Sequence, residues 1–173
     1  MSQLRQLQLH FDAVQDRTLM RVSTQDRQEY RFWLTRRFVR VLWPILGQLL
    51  RAEPVVQSQP REEARREVLS FQHEQAISET DFKTPYEQET PKTLPLGDAP
   101  LLLQRVQVKK NPQGRPLLCL SGEGRGVDLV LNDRLLHSLC KLIAETSARA
   151  GWDLSLEVVP APATPHEGQA LRH

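Results

Sequence analysis

The residues best suited to binding a ligand are arginines and a tryptophan in the first third of the chain. Residues 29–34 alternate apolar and polar side chains, which is typical of a half-buried strand and leaves Arg31 and Trp33 on its outward side. Arg21, in the preceding predicted strand, falls on the same side. Cations bind a phosphate backbone and aromatic rings stack on unpaired bases, so this face is a candidate site for single-stranded nucleic acid. The alternative is a solvated sheet surface, with Trp33 packed under a linker.

A second candidate site is the start of the helix that follows this strand. Thr35 is a good N-cap, and Arg36 and Arg37 then occupy the first helical turn. Positive charge there opposes the helix dipole, and an anion bound at the helix N-terminus would explain it. Pairing of the arginines with Glu29 or Asp26 would explain it equally well.

The same helix has an unusually wide apolar arc, which predicts burial on more than one side. Val39 and Trp43 lie in the second of its two apolar stripes. If the chain itself does not cover that stripe, these residues predict an interface with a protein partner or a second copy. Pro44 lies inside the helix and removes one backbone hydrogen bond.

A proline-rich segment, residues 78–100, is predicted to be extended and irregular. It carries two aromatic residues, Phe82 and Tyr86. The segment could clasp a partner subunit through these rings, or it could fold back on its own domain.

Residues 30–46 have a second copy at residues 127–143, at a constant offset of 97, and the predicted cap Thr35 corresponds to Asn132. Both copies follow three predicted strands, and Phe11–Leu34 and Val108–Leu131 have the same length. The sequence therefore predicts an α+β fold of two pseudo-symmetric βββα units, related by internal duplication.

The predicted boundaries follow from this repeat. The first unit spans residues 1–53, and a linker over 54–100 contains a helix at 61–77 and the extended proline-rich segment. The second unit spans 101–159, with a possible final strand at 152–159. Residues 160–173 contain no core-forming pattern and are predicted to be a disordered tail. The outline resembles the repeats of PUR-type and Whirly-type single-stranded nucleic-acid binders, which place four strands before the helix where three are found here.

The chain shows no catalytic constellation and predicts no metal site and no cofactor. Its five histidines lack metal-ligand spacing with cysteine or with one another. The glycine-rich stretch at 121–126 joins two predicted strands and indicates a hairpin turn. Cys119 and Cys140 are expected to be buried and reduced, which favours a cytoplasmic location. No apolar run is long enough for a membrane span, so no membrane partner is expected.

The charge is uneven, although the net charge of the whole chain is only +2. Residues 1–53 hold nine arginines and no lysine against five acidic residues. The first hypothesis is therefore a non-catalytic binding or assembly protein, through a protein partner or self-association. Single-stranded nucleic-acid binding through the Arg/Trp face is the second hypothesis, and an enzyme with a dispersed site is the third.

Overall fold

The computed structural model describes residues 2–88 and 92–159, and within them the chain forms one mixed seven-stranded sheet and four helices. The fold is α+β, as predicted. The strands are β1 (Ser2–Asp12), β2 (Arg17–Thr24), β3 (Glu29–Leu34), β4 (Leu101–Leu102), β5 (Arg105–Lys110), β6 (Pro116–Gly122) and β7 (Arg125–Val130). The helices are α1 (Arg36–Arg51), α2 (Pro54–Gln57), α3 (Glu62–Glu79) and α4 (Asp133–Arg149). The tail predicted for residues 160–173 lies outside the described residues.

The sheet consists of two antiparallel three-stranded groups, β1–β2–β3 and β5–β6–β7, joined by parallel pairs. At one junction β1 pairs with β7, with Ser2 opposite Leu129. At the other junction β3 pairs with β4, with Phe32 opposite Leu101. Each junction joins the first strand region of one group to the third strand of the other group. The two junctions therefore have the same form, and a rotation that exchanges the two groups would also exchange the junctions.

The strand order, β4-β3-β2-β1-β7-β6-β5, begins and ends with strands that are consecutive in the chain. Only two residues separate them. The backbone N–H of Leu103 donates to the carbonyl of Trp33 at 3.0 Å, and that of Gln104 donates to the carbonyl of Ser121 at 2.9 Å. One extended segment therefore contacts β3 first and β6 next, and it joins the two groups of strands into a ring.

The close approach within this segment depends on a glycine. A Cβ atom on Gly122 would lie 2.1 Å from the backbone carbonyl oxygen of Leu102. No side chain can be accommodated at that distance from a backbone atom. The junction between β4 and the end of β6 therefore requires glycine at this position.

The helices α1 and α4 contact each other, and each packs across the other group of strands: α4 on β1, and α1 on β5. The helix α3 lies on α4 and α1. Inward residues of both groups and both helices form one continuous hydrophobic core. Its most deeply buried large members include Phe32, Met20, Leu34, Leu42, Leu46, Leu118, Leu120, Leu129 and Ile143.

Both predicted helix caps are confirmed. The hydroxyl of Thr35 accepts a hydrogen bond from the N–H of Phe38 at 3.1 Å, and the side-chain oxygen of Asn132 accepts one from Leu135 at 2.9 Å. Each cap satisfies one of the N–H groups that the first helical turn leaves without an intrahelical partner. The helix α1 continues through Pro44, on its exposed side.

The correspondence between the first strands of the two groups differs from the one expected from sequence. Leu9 lies opposite Met20, and Val108 lies opposite Leu118. Met20 lies opposite Phe32 and Leu118 lies opposite Leu129, and Phe32 and Leu129 correspond at the offset of 97. The structural counterpart of Val108 is therefore Leu9 and not Phe11. The hairpin β5–β6 is one residue shorter than β1–β2, and the hairpin β6–β7 is one residue shorter than β2–β3. The two differences add, so the first strands are displaced by two residues from the expected correspondence.

Two further expectations need correction. Residues 152–159 form no strand; instead Trp152 packs edge-to-face on Phe11, with ring centroids 5.8 Å apart, and donates its indole N–H to Asp16 at 2.8 Å. The first of the three strands predicted for the second unit is divided into β4 and β5, because the chain changes its hydrogen-bonding partner between Leu103 and Gln104.

Candidate anion-binding face

The outward side of α1 is rich in arginine. Arg36, Arg37, Arg40 and Arg51 are all exposed, and the helix contains no aspartate or glutamate. We call these four residues the arginine face. At a rise of about 1.5 Å per residue the face extends for roughly 22 Å along the helix. It presents four positive charges on a rigid element whose opposite side is buried.

No carboxylate in the described part of the chain pairs with the arginine face. The two acids suggested as partners for Arg36 and Arg37 are engaged elsewhere. Asp26 accepts a hydrogen bond from the hydroxyl of Thr24. Glu29 is held by other cations. The structure therefore has neither of the ion pairs that would neutralise the start of α1.

Glu29 is the centre of a cluster on the outward side of β3. Its carboxylate accepts hydrogen bonds from Arg31 at 2.6 Å, Arg21 at 3.1 Å, Lys92 at 3.1 Å and the hydroxyl of Tyr86 at 2.9 Å. Only 2% of its side chain is exposed. Burial alone raises the pKa of this carboxyl, but the four hydrogen bonds outweigh it and lower the pKa to about 2. Glu29 is therefore ionised at neutral pH.

The proline-rich segment folds back over this cluster. The ring of Tyr86 lies between two cations, with Arg21 at 4.7 Å and Lys92 at 4.2 Å from its centroid. Phe82 contacts the ammonium of Lys141 at 4.7 Å. Both aromatic residues predicted to contact a partner thus contact their own chain. Arg21, one of the predicted site residues, lies under the segment with its charge directed at Glu29.

Trp33 and Trp43, the two tryptophans among the predicted site residues, are both partly buried. The guanidinium of Arg17 lies 4.0 Å from the ring centroid of Trp33, a cation–π contact. Trp43 follows Arg36 and Arg40 at helical spacing, so it flanks the arginine face. Val39, in contrast, is 1% exposed and belongs to the core.

The predicted site residues therefore separate into two groups. Thr35, Arg36 and Arg37 lie at the exposed start of α1, where Thr35 serves as the cap. Arg21 and Arg31 are committed to Glu29. The sequence predicted these arginines as two candidate sites, and only the site at the start of α1 has no carboxylate partner in the described part of the chain.

A buried polar chain, formed by three side chains in a row, was not predicted from the sequence. The Nδ1 atoms of His73 and His137 are 2.9 Å apart, and Nε2 of His137 is 3.0 Å from a carboxylate oxygen of Glu53. His137 is 1% exposed and Glu53 is 5% exposed. Burial, followed by His137 and Lys141, lowers the pKa of His73 to about 4, so this imidazole is neutral at pH 7. The three residues are far apart in sequence, and no spacing connects them.

This polar chain connects α3 and α4 to the turn after α1. Burial and the charge of Glu53 raise the pKa of the nearby Cys140 thiol to about 12, so this thiol is protonated at neutral pH. Cys140 and Cys119 are both buried and unpaired. Across residues 2–88 and 92–159, no group of three or more His, Cys, Asp or Glu side chains is arranged to hold a metal ion.

Comparisons of the chain with protein-family models, with curated proteins and with solved structures give no significant match. Among the described helices, none has the length and apolar character needed to cross a membrane.

Proposed function

We propose that the protein is a non-catalytic binding protein and that the arginine face of α1 binds single-stranded nucleic acid. The observation that carries the proposal is the lack of any carboxylate partner, in the described chain, for Arg36, Arg37, Arg40 and Arg51. Uncompensated arginines on a solvent-exposed helix attract phosphate groups, which the planar guanidinium binds in a bidentate manner.

The position of Trp43 supports a single-stranded ligand over a duplex. A partly buried indole beside Arg40 offers an apolar surface to an unpaired base while the arginines contact the backbone. The bases of a duplex are stacked on each other and cannot reach such a ring. The apolar side of α1 is covered by the core, so a ligand can reach only the exposed side of the helix, which carries the arginine face.

The test is fluorescence anisotropy with a labelled single-stranded oligonucleotide of 20 thymidines and with a duplex of equal length. With about four neutralised phosphates, we expect the affinity for the single strand to fall roughly 50-fold between about 50 mM and about 200 mM salt. The triple variant Arg36→Gln, Arg37→Gln and Arg40→Gln should bind at least tenfold more weakly at the lower salt concentration, about 1.4 kcal/mol.

The matched control removes three exposed arginines elsewhere, through Arg61→Gln, Arg105→Gln and Arg149→Gln. It lowers the net charge by the same amount, so any difference between the triple variants reports the location of the charge. Equal loss of affinity in both would contradict a localised site. No binding of the single strand at the lower salt concentration would remove the proposal.

The two βββα units are also proposed to be related by internal duplication. The equivalent caps, the exchangeable parallel junctions and the reciprocal packing of α1 on β5 and α4 on β1 support this origin. An alignment of homologous sequences tests it. Apolar positions in the two units should match in the register of the strands, with Val108 aligned to Leu9, and unrelated patterns would contradict the duplication.

A further inference from the structure

A groove with a cavity of about 690 Å³ lies beside the hairpin between β5 and β6. Its walls come from both halves of the molecule: the hairpin, the residues after α1, the start of α4 and the start of β1. Apolar side chains, including Val108, Leu49 and Leu135, form much of its lining. Val108 is 42% exposed, which is high for an inward-facing strand residue. The volume lies within the range of known ligand pockets, about 300–1,000 Å³.

The equivalent position in the other half of the molecule is filled by an aromatic side chain. There the hairpin between β1 and β2 faces the residues after α4, and Trp152 packs on Phe11 with only 4% of its surface exposed. Its indole N–H is satisfied by Asp16 of the hairpin. After α1 the chain instead turns into α2, and the equivalent space holds no aromatic ring among the described residues.

The charges around the groove are arranged on opposite sides. Lys110 and Arg115 belong to the hairpin wall, and neither pairs with a carboxylate in the described chain. Asp133 belongs to the opposite wall, in the first turn of α4. Glu53 also lines the groove, but its carboxylate contacts His137. The hairpin wall is therefore basic, and the opposite wall presents the carboxylate of Asp133 as a hydrogen-bond acceptor.

We propose that this groove binds an acidic peptide segment of a partner protein, anchored by one aromatic side chain. The ring takes the place beside the hairpin that Trp152 takes in the other half, and Val108, Leu49 and Leu135 line that place. Acidic residues beside the anchor contact Lys110 and Arg115. Asp133 on the opposite wall accepts a hydrogen bond from a peptide N–H, whereas the same carboxylate repels a continuous phosphate backbone. An aromatic anchor in a pocket is the usual centre of a peptide interface.

The probe is a blocked peptide of seven residues, one tryptophan flanked on each side by two aspartates and a glycine, titrated into the ¹⁵N-labelled full chain. We expect amide shifts centred on Val108, Gly114 and Leu131. Replacing the peptide tryptophan by alanine should abolish them. Lys110→Glu with Arg115→Glu should weaken binding at least tenfold.

The matched control is Arg105→Glu with Lys109→Glu, which changes the same strand on its opposite face and should leave the affinity unchanged. Val108→Glu should block the peptide without unfolding the chain, which its melting temperature checks; if it unfolds, the exposed Arg115→Glu alone carries the test. Equal binding of the tryptophan and alanine peptides, no binding up to about 1 mM, or shifts centred on α1 would overturn the proposal. Oligonucleotide binding by the arginine face is measured separately, so either site can fail alone.

Discussion

The helices α1 and α4 each follow the third strand of a group and begin with a side-chain cap, yet their outer surfaces differ in charge. The helix α4 carries both Asp133 and Glu145, and Lys141 pairs with Glu145 one turn away. It also buries four polar residues, which are His137, Ser138, Thr146 and Ser147. The helix α1 buries only apolar residues and has no acidic residue at all.

The difference follows from what covers each helix. The helix α3 packs on α4, and polar contacts fix it there, including Thr80 to Ser138 at 3.3 Å and Arg134 to Glu79 at 3.0 Å. The buried hydroxyl of Ser138 therefore has partners inside the chain, in Thr80 and in the carbonyl of Arg134. No comparable layer covers the arginine face. A surface that the fold does not need is free to be shaped by a ligand, which is why α1 is the candidate.

The largest effect is expected at a position that is buried in α4 and exposed in α1. His137 of α4 corresponds in the repeat to Arg40 of α1. His137→Ala leaves the buried carboxylate of Glu53 without its partner, and we expect a loss of about 3–5 kcal/mol in the free energy of unfolding. For a chain of this size that is a decrease of roughly 6–20 °C in melting temperature, measured by circular dichroism.

Arg40→Ala is the counterpart variant and should change stability by less than about 0.5 kcal/mol, while it weakens oligonucleotide binding. Replacing His137 and Glu53 together by apolar residues should be less destabilising than His137→Ala alone, because no unpaired charge is then buried. Similar losses at His137 and Arg40 would show that the two helices are not used differently.

The contact of His73 with α4 and the Glu29 cluster on β3 should lose their contributions to stability in different pH ranges. His73 has a folded pKa of about 4 against an ordinary value of 6.5, so unfolding takes up a proton between these values. Its contribution to stability is complete above pH 6.5 and is lost as the pH falls to 4. Glu29 has a folded pKa of about 2 against 4.5, so its contribution is complete above pH 4.5 and is lost between pH 4.5 and 2. With a discount for the partial exposure of the arginine partners, the contribution of Glu29 is on the order of 2 kcal/mol.

Urea unfolding at a series of pH values measures both windows. His73→Gln should remove the loss of stability between pH 6.5 and 4 and leave the loss between pH 4.5 and 2 unchanged. Glu29→Gln should remove the loss at the lower pH and leave the loss at the higher pH unchanged. The sign is the same in both, since stability rises with pH wherever the unfolded chain binds more protons. A single window that neither variant changes would contradict the assignment.

Local patterns in the sequence were sufficient to predict strands and helix starts, but not to predict which charged side chains contact one another. The strand alternation and the caps Thr35 and Asn132 are local, and they gave β3, β7 and the starts of α1 and α4 correctly. Glu29 and its cations are brought together from β2, β3 and a segment some 60 residues later. No periodicity encodes such a contact, so the sequence predicted Arg21 and Arg31 to lie on an outward face open to nucleic acid or solvent, whereas both pair with Glu29.

The smallest effect gives the sharpest test, because stability and binding should change in opposite directions. Arg36 of α1 corresponds to Asp133 of α4, each in the first helical turn. Arg36→Asp removes an unfavourable interaction with the helix dipole and should stabilise the chain by about 0.3–1 kcal/mol, whereas Asp133→Arg should destabilise it by a similar amount. Arg36→Asp should also weaken oligonucleotide binding more than Arg36→Gln does, and Asp133→Arg should leave that binding unchanged or slightly stronger. If Arg36→Asp instead destabilises the chain and leaves oligonucleotide binding intact, the arginine has a structural role and α1 differs from α4 for reasons of folding alone.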